Sequence, residues 1–256
     1  MTNARSRNSA ATRGDEHSLA PLLAIIGSDG AGKTTLASYL CAALQEEGAT
    51  YSYLGLGSGT MGLKIQAWPF IGPMLARRLT AKAKQARTRG ERIPGPFTAL
   101  TIYGFATVRM HRFKKTQAMR ECAAVVICDR YPQLEVPGFY DGPGLSAARP
   151  NGPFTAWLAR RELKLYESMV RVRPTVIIRL NIDAQTAYAR KPDHDLTLIK
   201  QKTAITPRLC FNGARIVEID ATLPLSDVQA QCLQVALQVI SNHQANQAAM
   251  STMPDP

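Results

Sequence analysis

The sequence predicts an α/β fold in which a parallel β-sheet is sandwiched by helices. Three observations predict it. Short apolar runs such as Pro21–Gly27, Ala123–Asp129 and Pro174–Ile182 lack the every-other-residue alternation of a half-exposed strand, so both faces of each are to be buried. Segments with helical periodicity separate these runs, and strands alternating with helices make crossover connections between parallel neighbours. The chain has 256 residues, 45% of them hydrophobic, enough for one full-sized domain with a packed core.

The elements follow in order. Residues 1–18 are polar and read as a disordered tail. A domain then spans residues 19–241. Its first strand is Pro21–Gly27, and Thr34–Gln45 reads as a helix stopped near Gly48. Thr50–Leu56 reads as a second strand, and Pro96 to about Glu121 as a long helix. Ala123–Asp129 is the clearest strand. The stretch Tyr131–Pro153 is rich in glycine and proline and reads as the kind of loop that carries a site. Helices over Phe154–Val170 and Ala184–Arg190 flank the strand Pro174–Ile182. The strand Ala214–Asp220 and a helix from Leu225 to about Ser241 close the domain, leaving residues 242–256 as a polar tail.

Composition excludes several classes. The five cysteines are scattered with no C-x-x-C pair, which reads as reduced thiols in a cytoplasmic protein. No apolar run of about 18 residues exists, so no membrane span is expected. The four histidines lack metal-ligand spacing. The net charge of +12 concentrates in Ala76–Gly95, where Glu91 is the lone acidic residue. With no nucleic-acid motif in the chain, no specific nucleic-acid binding is expected, and the block reads as a solvated face or loop. Beside the apolar Trp68–Leu75, it leaves a weak membrane-surface contact as an open alternative. Self-association as a homodimer is also left open.

The stretch between the first strand and the first helix carries the chemistry. Gly27-Ser28-Asp29-Gly30-Ala31-Gly32-Lys33-Thr34 matches G-x-x-x-x-G-K-[ST] in full and has the strand-then-helix context such a loop requires. Its glycines let successive N–H groups turn toward phosphate oxygens, and the helix adds the positive end of its dipole. The donor nucleotide, ATP, is then held by Gly27, Asp29, Gly30, Ala31, Gly32, Lys33, Thr34 and Thr35. Lys33 reaches the β- and γ-phosphates, and Thr34 ligates Mg²⁺. The carboxylate that ends an apolar strand, Asp129, is the matching magnesium partner. Arg130 and Tyr131 follow it at the carboxyl edge of the sheet, where α/β proteins bind ligands.

With "ICDRYP" (Ile127–Pro132) and "GFATVR" (Gly104–Arg109) added to the phosphate loop, the chain resembles the thymidylate kinase family of nucleoside monophosphate kinases. "EIDATLPLSDV" (Glu218–Val228) is similar to that family's closing strand and helix, so the resemblance covers about Leu22 to Ile240. It implies a P-loop nucleotide-kinase fold and phosphorylation of dTMP by ATP and Mg²⁺. It further implies that Asp29 contacts the acceptor sugar, that Arg109 and Arg130 hold the acceptor phosphate, and that Phe105 stacks near the base, with Tyr131 beside it. Some members carry an arginine in the loop where this chain has Gly30. With Gly30 there, the chain is similar to members whose catalytic cation comes from a lid instead, here residues 190–205, with Arg190 and Lys191 as candidates beside Lys33 and Arg130.

The departures from the family are specific. "YLGLGSGTMG" stands where members have an Arg-Glu-Pro-Gly-type segment. "PQLEVPG" replaces the serine and glutamine that read the base, and residues 61–94 form a basic insertion. Phosphate machinery is therefore expected to be retained, with base selection relaxed. Two rivals remain: a kinase for another phosphorylated acceptor, such as a sugar phosphate, and a non-catalytic ATP-binding regulatory protein.

Overall fold

The computed structural model describes residues 19–55, 93 and 95–251. The insertion of residues 61–94, apart from Ile93, lies outside the described residues, as do the N-terminal tail and the last five residues.

Among the described residues, five strands form one parallel sheet: β1 (Leu22–Gly27), β2 (Ala49–Tyr53), β3 (Val125–Asp129), β4 (Val176–Asn181) and β5 (Ile216–Asp220). Their order in space is β2-β3-β1-β4-β5, so β1 lies at the centre. The helices are α1 (Lys33–Ala43), α2 (Pro96–Met119), α3 (Pro153–Val170), α4 (Ala184–Arg190), α5 (Leu196–Ile205) and α6 (Leu225–Ser251).

Burial on both faces explains the unalternating apolar strands. Every residue of β1 is buried. Leu23 and Ile25 join Val125, Ile127, Val176 and Ile178 beneath α1 and α6, where Leu36, Leu40, Val228 and Val239 cover them. Leu22, Ala24 and Ile26 point the other way, onto Ala106, Phe113, Tyr166 and Met169 of α2 and α3. A parallel sheet covered on both sides needs this pattern.

The closing helix differs from expectation. It continues to Ser251, where the sequence had suggested a polar tail from residue 242. Its last buried residue is Ile240. Beyond that point apolar periodicity has nothing to report, while alanine and glutamine still favour helix. Residues 190–205, expected as a lid, hold a second short helix, α5, whose first turn is capped by Asp195 through the N–H groups of Thr197 (2.8 Å) and Leu198 (3.3 Å).

Parallel pairing aligns the carboxyl ends that matter. Ile25 lies level with Asp129, and Gly27 with Leu180. The turn after β1, the turn after β3 and the start of α4 thus meet at one edge of the sheet. No helix among the described residues is long and apolar enough to cross a membrane.

Candidate active site

The phosphate loop leaves the central strand and returns as α1. Gly30 and Gly32 hold φ values of 85° and 87°, the left-handed region that costs glycine little. A Cβ at Gly30 would come within 2.6 Å of the carbonyl oxygen of Ala187 on α4. With α4 packed there, no side chain fits at that position, which gives a physical reason for the glycine. Gly32 puts no side-chain cap on α1, so the first-turn N–H groups of that helix stay available to an anion.

Lys33 is 7% exposed and folds back on its own loop, its Nζ donating to the Ser28 carbonyl at 2.7 Å. Burial, then the nearby Arg130, draws its pKa from 10.5 to about 8, against the opposing pull of Asp29, Asp129 and Asp141. A buried cation short of hydration suits a polyphosphate.

Thr34 donates its hydroxyl to Asp129 Oδ2 at 2.6 Å. Asp129 is fully buried, and its Oδ1 has no hydrogen-bond partner among the described residues. An orphaned carboxylate oxygen beside a threonine hydroxyl is the donor set a hard cation such as Mg²⁺ takes, with phosphate and water completing the shell. The residues present therefore fit the ion.

The third group is ionic. Arg130 leaves β3 with φ 76°, an uncommon conformation for a non-glycine residue. It lies 3.8 Å from Asp29 and 3.5 Å from Asp141. Asp141, first among several carboxylates and Tyr53, holds its guanidinium firmly charged despite burial. Asp29 is ion-paired with Lys202 of α5. Burial alone would raise the Asp29 pKa, but Lys202, with Lys33 and Arg130, brings it from 3.8 to about 2. Three cations, Lys33, Arg130 and Lys202, thus cluster with three carboxylates, Asp29, Asp129 and Asp141. Buried Arg179 of β4 steadies the connection behind it, donating to the carbonyls of Pro207 (3.1 Å) and Leu209 and to Glu218 (2.9 Å).

The sequence-predicted residues divide in three. The phosphate-loop residues with Asp129 and Arg130 are brought together as expected in space. Arg109 is close by but fully buried: its Nε donates to the Leu54 carbonyl at 2.9 Å and its NH1 to Tyr166 Oη at 2.8 Å, while the guanidinium pairs with Asp141. Phe105 lies one turn before it on α2, partly buried.

Two sets of expected site residues sit apart from this cluster. Tyr131 is a core residue, 2% exposed, with its ring edge on Phe113 and its hydroxyl donating to the Val172 carbonyl at 2.6 Å. Arg190 and Lys191 end α4 exposed to solvent, whereas the lid-segment cation that reaches the phosphate loop is Lys202, 173 residues from Asp29 in sequence. Sequence reasoning also missed Asp141. It sits in the glycine- and proline-rich loop already marked as site-like, but nothing local distinguishes its carboxylate from a turn residue.

No family model matches the chain. It is 40% identical over 228 residues to the uncharacterized ATP-binding protein YghR of Escherichia coli (strain K12), covering 88% of this chain and 90% of that one. It is 42% identical over 221 residues to the uncharacterized ATP-binding protein YghS of the same organism, covering 86% and 92%. Among solved structures, a deoxyadenosine kinase from M. mycoides with the products dCMP and dCDP overlays with a TM-score of 0.49 at 12% identity, across 85% of this chain and 99% of that one.

Proposed function

The chain belongs to the family of the ATP-binding proteins YghR and YghS, and on that basis and the geometry of its cleft we propose that it is an ATP-dependent phosphotransferase acting on a small acceptor. The acceptor is a nucleoside monophosphate, with dTMP the first candidate. One observation carries this reading. Asp29 belongs to the phosphate loop and faces Arg130 from the end of β3, so the donor cradle and a second cationic seat share a wall. A protein that only bound a nucleotide would have no use for the second seat.

The chemistry follows from position and charge. The loop N–H groups and Lys33 hold the donor phosphates, while Thr34 and Asp129 would hold Mg²⁺. When bound, that ion neutralises charge on the phosphates. Arg130, with Arg109 behind it, orients the acceptor phosphate through its guanidinium fork. Asp29 accepts a hydrogen bond from an acceptor hydroxyl. Lys202 stands where it can face the transferred phosphoryl group. Aligned reactants need no covalent intermediate, because preorganised cations supply the stabilisation.

The test is coupled ADP release across a panel of nucleoside monophosphates and sugar phosphates. The expected result is turnover with dTMP and appreciable side activity with dUMP, since "PQLEVPG" stands where the thymidylate kinase family carries the serine and glutamine that read the base. Turnover with a sugar phosphate and with no nucleotide rejects the acceptor. Acceptor-independent behaviour throughout rejects the transferase.

A further inference from the structure

Two guanidiniums converge on one carboxylate in the cleft, and that carboxylate belongs to the chain. We propose that Asp141 occupies the seat of the acceptor phosphate and acts as a specificity-determining residue, admitting a dianionic phosphomonoester that displaces it and refusing weaker anions. The proposal rests on the kinase reading above.

The arrangement is built for an anion. One Asp141 oxygen pairs with the Arg109 guanidinium, and the other lies 3.5 Å from Arg130 NH1. The Asp141 carbonyl also accepts from Arg109 NH1 at 2.6 Å. A carboxylate gripped by arginine forks has the contacts a phosphate would make. Arg109 has no solvent exposure, so nothing else reaches it while Asp141 stays. Arg130 keeps 30% of its side chain exposed and is the open side of the seat.

The loop holds this carboxylate under strain. Tyr140 and Asp141 have φ values of 45° and 65°, both in the left-handed region. The Gln133 amide fixes the turn, donating to the carbonyls of Val136 (2.9 Å) and Phe139 (2.7 Å). Gly138 closes it by donating to the Pro143 carbonyl at 2.9 Å. Burial would raise the Asp141 pKa, but Arg109, Arg130 and Lys33 outweigh it and keep the carboxyl below the usual range.

Charge then sets the selectivity. Two guanidiniums and one carboxylate leave one positive charge in excess. A phosphomonoester dianion gains more from the pair than Asp141 does. A carboxylate ligand or a neutral alcohol gains no more and stays out.

The test uses Asp141→Asn, which keeps the shape and tolerates positive φ, and Asp141→Gly, which removes the side chain and the strain. With the donor loop filled by MgADP, calorimetry measures binding of inorganic phosphate. Both variants are expected to bind it roughly tenfold more tightly, the competing occupant having gone. Adding Arg130→Met is expected to cancel the gain. With an active acceptor, KM is expected to fall. Unchanged or weaker phosphate binding in a folded variant overturns the proposal, and the glycine variant carries the test if the asparagine variant does not fold. Loss of kcat without any gain in phosphate binding also overturns it, making Asp141 a base for an uncharged hydroxyl. Tighter phosphate binding with no turnover on any acceptor supports the seat and defeats the kinase reading alone.

Discussion

Replacing Lys202 by methionine keeps most of the aliphatic volume and deletes the cation that ties α5 to the phosphate loop. The structure sets the size of the effect. Asp29 is brought from 3.8 to about 2, with burial opposing and Lys202 the strongest of the groups that lower it, ahead of Lys33 and Arg130. That shift is worth about 2 kcal/mol of folding free energy at neutral pH, at roughly 1.4 kcal/mol per tenfold change. Asp29 and Lys202 side chains are 13% and 22% exposed, so solvent screens the pair only in part. Lys202 is the largest of three lowering groups, so Lys202→Met is expected to lose a large share of this, about 1–2 kcal/mol at pH 7, a fall of about 3–5 °C in Tm for a domain of this size. The sign of the pH dependence is fixed. A depressed carboxylate stabilises the fold above its unfolded pKa and ceases to as the pH drops through its folded one. The deficit should therefore shrink by about half by pH 3. Urea denaturation of both proteins from pH 7 down to pH 3 measures it. Equal stability at pH 7, or a deficit as large at pH 3 as at pH 7, refutes the coupling.

Two further substitutions address other parts of the cleft. Thr34→Val removes the hydroxyl donor of Asp129 and a proposed ligand of Mg²⁺, so the Mg²⁺ concentration for half-maximal ATP turnover should rise about tenfold or more, read from a magnesium titration; an unchanged titration removes Thr34 from the proposed metal site. Arg109→Met strips a fully buried guanidinium from Asp141, Tyr166 and the Leu54 carbonyl, and breaking such a pair costs about 3–5 kcal/mol, measurable by urea denaturation; a loss below about 1 kcal/mol means the network does not hold the loop.

What the sequence made legible was whatever is written locally. The strands were visible because both faces of Val125–Cys128 and Leu22–Ile26 are buried, so their apolar runs are unbroken. The phosphate loop was visible because backbone curvature and charge demand particular residues at fixed spacing. Lys202 and Asp141 were not visible, because their partners are 173 and 32 residues away and only the tertiary fold brings them together. The burial of Tyr131 was hidden for a related reason. It follows Arg130 directly, but the positive φ of Arg130 turns the chain, and Tyr131 packs into the layer beneath the sheet. The far end of α6 escaped because exposed helix carries no apolar period.

In the proposed reaction ATP donates its γ-phosphoryl group to an acceptor seated beside Asp29 and Arg130. The most direct measurement follows the label from [γ-³²P]ATP in the presence of Mg²⁺ and dTMP, with Lys33→Met alongside. Label is expected in dTDP, reduced by roughly 10²-fold or more in the variant through loss of the preorganised cation. Label that stays in ATP, or appears as inorganic phosphate alone whichever acceptor is supplied, contradicts it.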